Sequence, residues 1–451
     1  MSSSFLEVLF AGIILLYVAA ECILTILQTH QADRSDNTQE RFFHEISRAA
    51  HRKAIDYIHE TTQARLFHVV AITFLILSMT WFGGFSWLAT TFVFLTDSPL
   101  LSARLVAIIL LCLYLAIEFP LNWYLRFRIE EKYGFMATPS SIWLRLKFQD
   151  TLFGLCLLTP ALIAFLWLIY RIGPQWPILV FSLGIAYLFW RFNFAKNYGL
   201  FWGRPTYAFQ NPALEACIKA YFQSQGLVAK QILVMTQPER WKNHPVLLTG
   251  HGKERTVIIF TRTVQKLKDD EILAVVACEV ARTKSLHALT FSFLQGLTLA
   301  FCMLFAYFLI QTPAAFTALH IRPRTTILLD GMDSVWSAIL TALILPLLLF
   351  LIMPMTNLLT RKIFYRADQF VANTVGAGPM IRALVALHRH ERNAYIKPSR
   401  WYSLFHYAMP PTVFRIEKLR IYSQGFDKEK PRIASTFKRN RYLVPSKRTV
   451  L

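Results

Sequence analysis

Long apolar runs recur along this chain and constrain it more than any other feature, lying near 5–27, 67–96, 103–124, 151–171, 177–195, 288–311 and 336–358. A helix needs about 20 mostly apolar residues to cross the hydrocarbon core of a bilayer. Inside that core each backbone polar group must be satisfied within its own segment, which a helix achieves. The chain therefore reads as an α-helical polytopic membrane protein with seven transmembrane helices. Apolar residues make up 55% and charged residues only 17%, more apolar surface than a soluble globule of this length needs. The second run carries Gly83 and Gly84 and is long enough for a tilted helix plus an interfacial stretch. The pair 151–171 and 177–195 is split only by the turn from Arg171 to Pro177. The first run, Phe5 to about Ile26, has no basic region before it and no small-residue cleavage site, so it reads as a retained span rather than a signal peptide.

The formal charge of +21 is compatible with a nucleic-acid partner in principle. The Lys and Arg residues, however, sit between and after apolar runs, as juxtamembrane charge does, and no nucleic-acid partner is expected. Loops rich in Lys and Arg stay in the cytoplasm. Loop 28–65 holds Arg34, Arg41, Arg48, Arg52, Lys53 and Arg65, loop 125–150 holds Arg126, Arg128, Lys132, Arg145 and Lys147, and the chain after Arg361 is densely basic. The loops near 97–102, 171–176 and 312–335 carry few cations. Seven spans fit this alternation with the N-terminus outside and the large polar segments inside, in a bacterial inner membrane by preference or otherwise the endoplasmic reticulum.

Five segments follow. Residues 1–195 form an N-terminal membrane region with five spans, 196–286 and 359–424 are two parts of a cytoplasmic domain, 287–358 hold two further spans, and 425–451 form a basic tail expected to be flexible or bound at the membrane surface. In 196–286, helix-like stretches (Pro212–Ser224 and Asp269–Thr283) flank short β-rich runs at Gln231–Met235 and Thr256–Thr261. The six cysteines show no Cys-x-x-Cys pair, so neither a disulfide framework nor a zinc knuckle is expected.

One helix carries the chemistry. Asp269-Asp270-Glu271 opens an apolar stretch that reaches Cys278-Glu279-x-x-Arg282. That step resembles the His-Glu-x-x-His step of membrane zinc metalloproteases. The resemblance extends along the chain to the Ste24 family of CAAX prenyl proteases, peptidase family M48. Arg52-Lys53-Ala54-x-Asp56-Tyr57 resembles that family's basic-Ala-x-x-Tyr loop, and Phe127 to Phe135, with Thr138 and Asp150 beyond, resembles its Ile-Glu-Glu-Lys-Phe-Gly-Phe loop. Val257 to Thr261 stands as the strand before the active-site helix. Arg361-Lys362 through Phe370 is similar to the family's Glu-x-x-x-Asp helix. Pro410-Pro411 with Arg415-Ile416 resembles its closing His-Pro-Pro-x-x-x-Arg-Ile element, with Met409 where the His belongs. The resemblance implies a Ste24-like chamber of seven helices, with a cytoplasmic α+β metalloprotease-like domain of gluzincin type.

It also implies which residues to test. In a His-Glu-x-x-His helix the two imidazoles bind zinc and the Glu activates the bound water. Here Cys278 holds the first ligand position, Arg282 the second and Phe364 the third, four residues before Asp368. A thiolate can bind zinc, but a guanidinium has no lone pair to give and a phenyl ring is no ligand. No metal is expected, although active family members carry zinc. Glu279 keeps the general-base position and Asp368, His287 and Arg415 keep theirs, so Glu279 and Asp368 are expected to close on Arg282 in a polar cavity. Cys278 and His287 are nine residues apart, about 13 Å along one helix at 1.5 Å per residue, too far for a cysteine-protease pair.

Four further residues enter the reading. His244-Pro245-Val246-Leu247-Leu248 stands where the family has its substrate-pairing strand, and Pro245 is expected to weaken peptide capture because it donates no N–H. His244 and His406 are secondary candidates, each more simply a structural histidine. Glu118, an ionisable residue in the third run, is expected to line the chamber. The leading reading is an inactive Ste24/M48-like membrane pseudoprotease that binds membrane lipid and a lipidated or membrane-associated polypeptide. The alternatives are an active zinc endopeptidase with atypical ligands and a structural membrane subunit.

Overall fold

The computed structural model describes residues 3–37, 48–96, 98–133, 140–190, 206–236, 244–250, 252–284, 287–319, 332–388 and 397–426. Arg41, Thr138 and the basic tail from Asp427 lie outside the described residues.

In chain order the helices are α1 (Ser3–Asn37), α2 (Arg48–Met79), α3 (Gly84–Thr96), α4 (Pro99–Tyr124), α5 (Ser140–Ile172), α6 (Trp176–Trp190), α7 (Pro212–Ser224), α8 (Thr261–Lys266), α9 (Asp269–Lys284), α10 (His287–Gln311), α11 (Pro313–Ala318), α12 (Met332–Thr374), α13 (Ala377–His388), α14 (Arg400–His406) and α15 (Thr412–Phe426). The strands are β1 (Thr206–Ala208), β2 (Val228–Met235), β3 (Val246–Thr249) and β4 (Glu254–Phe260). Two compact units result, one of Met1–Ala186, Gln295–Pro354 and Pro398–His406, the other of Tyr187–Leu294, Met355–Lys397 and Tyr407–Leu451. The segment 398–406 clusters with the first unit.

Among the described residues six helices are long and apolar enough to cross a membrane, with Thr159–Trp190 counting as one stretch of 32 residues. A single 3-10 turn at Gly173–Gln175 separates α5 from α6, so the expected count of seven rests on α6, which reaches the edge of the described residues at Trp190. The long second run divides: α2 ends at Met79, Gly83 turns the chain at φ +72°, and α3 follows with Phe85, Leu88 and Ala89 buried. Ser98 caps α4 by accepting from the Leu101 N–H, and Pro99 sits at the first turn, where its missing donor costs nothing.

In the first unit, Phe85 meets Trp336 edge-on at 5.3 Å, and Phe350 stacks on Phe405 at 4.9 Å. The two loop motifs meet there as well: Tyr57 packs edge-on against Tyr133 at 5.6 Å over Ile129, and Glu60 binds both Lys132 and the Tyr133 hydroxyl.

The second unit is built on a four-stranded sheet in the order β1-β2-β4-β3. β2 and β4 run parallel, and β1 and β3 flank them antiparallel. Val257 to Phe260 are fully buried, which is why this apolar run forms an inner strand. The β3–β4 turn requires glycine at 250: φ is +106°, and a Cβ would lie 2.7 Å from the Glu254 carbonyl oxygen. α9 starts with Asp269, Asp270 and Glu271 and ends with Arg282 and Lys284, charges that match its dipole at both ends. The Glu271 carboxylate accepts from the Lys268 N–H at 3.0 Å, fixing the start of the helix.

Candidate functional site

The site assembles from three helices of the second unit. α9 supplies Cys278, Glu279 and Arg282, α12 supplies Phe364 and Asp368, and α15 supplies Arg415. On α9 the side chains of residues 278 and 282 stand one turn apart on the same face, and Phe364 and Asp368 repeat that spacing on α12. Cys278, Phe364 and Asp368 are buried, Asp368 completely.

Two ion pairs occupy the site. Arg282 Nη1 donates to Glu279 Oε1, with both side chains largely shielded from solvent. Arg415 grips Asp368 with two parallel bonds, Nη2 to Oδ1 at 2.7 Å and Nε to Oδ2 at 2.9 Å, the bidentate geometry in which guanidinium binds carboxylate most strongly. The expectation that Asp368 closes on Arg282 is thereby corrected: Asp368 belongs to Arg415, and Arg282 is held by Glu279 alone of the two acids. The guanidinium carbon of Arg282 lies 4.1 Å from the Phe364 ring centroid, and that of Arg415 lies 5.7 Å from it. Phe364 therefore packs against both cations, using the negative face of its ring as a partner that needs no lone pair.

Electrostatics follow from this packing. Burial pushes the Cys278 thiol up to about 11, only partly opposed by Arg282 and Arg415, while Asp368 and Glu279 add to the rise. Arg415 Nη2 stands 3.8 Å from the Cys278 sulfur, so the thiol is a neutral acceptor at its side. Burial works against the Arg415 cation, but the Asp368 carboxylate overcomes it and holds the guanidinium more firmly protonated. His244 is drawn down by burial, opposed by Glu279 and reinforced by Arg282, which keeps a neutral imidazole facing this pair.

These residues do not fit a zinc ion. The first ligand position holds a thiol kept protonated by burial, the second a cation already bound to the general-base Glu, the third a hydrocarbon ring under that cation. Among the described residues no group of three or more His, Cys, Asp or Glu could hold a metal.

The remaining candidates lie elsewhere. Met409 is 42% exposed in the link between α14 and α15. His287 opens α10, a different helix from the one carrying Cys278, and its side chain lies outside the described residues. His406 belongs to the first unit, where Arg65 Nη2 is 2.6 Å from its Nδ1 and Glu21 Oε2 is 3.3 Å from its Nε2. Glu118 also lies in the first unit, accepting from Asn122 Nδ2 at 2.9 Å and facing His68 Nε2 at 2.9 Å. Sequence reasoning missed His68 and Glu21, for which a His inside the second apolar run and a Glu inside the first are the signal, and it assigned Arg65 to a loop, whereas that residue lies within α2.

Pro245 also acts differently from expectation. It precedes β3, and its carbonyl accepts from the Phe260 N–H at 3.3 Å and the Thr263 hydroxyl at 2.6 Å. Backbone groups alternate sides along an antiparallel ladder, so the donor missing at 245 faces β4, and the N–H and C=O groups of Val246 and Leu248 face away from β4, with Val246 fully buried and Leu248 partly exposed. β3 is one of the two edge strands of the described sheet, β1 being the other.

Comparison with known proteins matches this architecture in two parts. Residues 28–190 match the CAAX prenyl protease N-terminal model of five membrane helices, and residues 210–423 match peptidase family M48. A CAAX prenyl protease 1 homolog of Oryza sativa subsp. japonica is 23% identical over 313 residues, 67% of this chain and 69% of that protein. The homolog of the same name from Arabidopsis thaliana is 23% identical over 320 residues, with the same coverage. The crystal structure of Ste24p from S. mikatae superposes with a TM-score of 0.73 at 15% identity, covering 92% of this chain and 99% of that one. The chain belongs to peptidase family M48, in its Ste24-like, multi-pass membrane branch.

Proposed function

We propose that this M48 protein is a pseudoprotease, which has exchanged a catalytic zinc for a pair of buried salt bridges and retains a polypeptide-binding role. The observation that carries the proposal is the Arg282 guanidinium stacked on Phe364, two side chains that offer no lone pair at the second and third ligand positions. Zinc hydrolysis needs three protein ligands and an open position for water, and Glu279, the residue that would activate that water, is engaged by Arg282. In an active relative zinc supplies Lewis acidity and a bound hydroxide; the side chains here supply neither.

Binding has a separate support. The outward backbone groups of Leu248, a partly exposed residue of β3, offer a point of attachment where an extended peptide can add along the strand edge. The client we favour is a membrane-associated or lipidated polypeptide, given that the related proteins from rice and Arabidopsis are named CAAX prenyl proteases. The same reading keeps the N-terminus outside and the polar segments in the cytoplasm, following the Lys and Arg of segments 28–65 and 125–150, which the helix ends of α1, α2 and α5 largely occupy.

The test pairs two measurements on the purified full chain, peptidase turnover of a farnesylated peptide and binding of that peptide. Binding without turnover is the expected result. Turnover that Glu279→Gln abolishes would overturn the loss of catalysis, and absence of binding would overturn the retained role.

A further inference from the structure

The exposed stripe of α12 changes character along its length. Met355 and Leu358 are 44% and 48% exposed in a helix apolar enough to cross a membrane, so this face is the one turned to hydrocarbon, where exposure of apolar groups costs nothing. Steps of three and four residues keep to one helix face, and from Leu358 the stripe continues to Lys362, Arg366 and Gln369, all exposed. Ile363, Phe364, Ala367 and Asp368, facing the other way, are buried.

The same positions mark where hydrocarbon ends. Between Asp333 and Arg361 the helix carries no charged residue. Arg361 is buried and donates to the Tyr407 carbonyl at 3.2 Å, which leaves Lys362 as the first charge on the lipid-facing side. Lys362 stands about 6 Å and Arg366 about 12 Å beyond Leu358 along the axis at 1.5 Å per residue, the first within a headgroup layer of about 5–8 Å and the second able to reach back to it with its long side chain. Tyr365 borders the stripe, and the ammonium of Lys418, an exposed residue of α15, lies 4.6 Å from its ring centroid. Among the described residues no carboxylate pairs with Lys362, Arg366 or Lys418.

We propose that Lys362, Arg366 and Lys418 form a docking surface for the headgroup of an anionic phospholipid from the adjoining leaflet. The guanidinium fork suits two phosphate oxygens, the two ammonium groups add charge, and the Tyr365 ring lies at the interface where amphipathic aromatics settle. An apolar stripe running directly into cations fits a molecule that is itself apolar below and anionic above. Whether the 278–282 site holds a metal has no bearing on this surface.

The test uses the full chain in mild detergent with an equimolar mixture of phosphatidylglycerol and phosphatidylcholine, retained lipid being read by native mass spectrometry. The wild type is expected to retain phosphatidylglycerol preferentially, and K362Q, R366Q and K418Q each to lower that preference about fivefold, the effect of one basic residue beside an anionic surface. Lys362→Arg keeps it, as does Lys230→Gln, a control on the exposed β2 pair with Glu254. An unchanged preference in the triple variant overturns the proposal. Loss of the lipid to sodium phosphate, but not to sodium chloride of equal ionic strength, overturns it in favour of a free-phosphate site. Should the triple variant fail to fold, the single Lys362→Gln carries the same readout.

Discussion

Arg282 lies over Phe364, its guanidinium carbon 4.1 Å from the ring centroid, with the same cation bound by Glu279 one turn back on α9. The two residues come from different helices, so the contact ties α9 to α12 at the point where the family expects a metal to do so. Neither is accidental to the other, because a cation that cannot coordinate needs a ring face, and a ring that cannot coordinate gains from a cation.

Arg282→Ala is expected to destabilise the protein by about 2–4 kcal/mol, since it leaves Glu279 without its partner in a shielded site. Arg282→Lys keeps the charge and loses the planar stacking, so it falls between the two. Thermal midpoints in detergent check the order wild type, Lys, Ala.

Asp368→Asn is expected to cost about 3–5 kcal/mol, because it strands the buried Arg415 cation. Replacing both, Asp368→Leu with Arg415→Met, is expected to recover most of that loss, as apolar substitutes of similar volume do for buried pairs. If the double variant is no better than the single, Arg415 has a role beyond neutralising Asp368. Chemical denaturation of the solubilised chain distinguishes these outcomes.

Cys278 links stability to alkaline pH. Its thiol is raised from 9.0 to about 11, so the folded state holds the proton more tightly than the unfolded chain. The stabilisation is complete below pH 9 and is lost as pH rises through about 11, a swing of up to about 3 kcal/mol. Cys278→Ala is expected to remove that component, which appears as the difference between the two pH–stability curves. The native thiol should also resist alkylation at neutral pH.

His406 predicts the opposite limb. Burial lowers its pKa, opposed by the Glu21 carboxylate and reinforced by Arg65. Arg65 Nη2 donates to Nδ1, so the neutral ring carries its proton on Nε2, toward Glu21. The unfolded chain takes up the proton first, and stability is expected to fall as pH drops below about 6.5, the ordinary histidine value. His406→Gln, which keeps polar contacts and cannot titrate there, should flatten the curve between pH 7 and 5.

The elements were legible where local chemistry decides them. The acidic start of α9, the one-turn spacing of Cys278 and Arg282, and the apolar runs of α1, α4 and α12 need no distant partner to be read. Pairings across the chain were not legible. Asp368 has Arg282 and Arg415 within reach by composition, and only the approach of α15 decides for Arg415. Pro245 reads as a loss for strand addition until the register of β3 on β4 fixes which way its missing donor points. Likewise His406 is near Met409 in sequence, yet α14 carries it to Glu21 and Arg65 of the membrane helices.

Restoring the family's ligands tests whether the frame itself is intact. Cys278→His, Arg282→His and Phe364→Glu together are expected to create a zinc site, because Arg282 lies on Phe364 and Arg415 reaches both Phe364 and Cys278, which brings the three positions together across α9 and α12. Zinc uptake by this variant, read by elemental analysis, would show that the side chains alone were lost.

The most direct test is the zinc content of the wild-type chain itself, purified without chelator and measured by inductively coupled plasma mass spectrometry. Far less than one zinc per chain is expected, unchanged by Cys278→Ala. Stoichiometric zinc that disappears with Cys278→Ala would contradict that expectation.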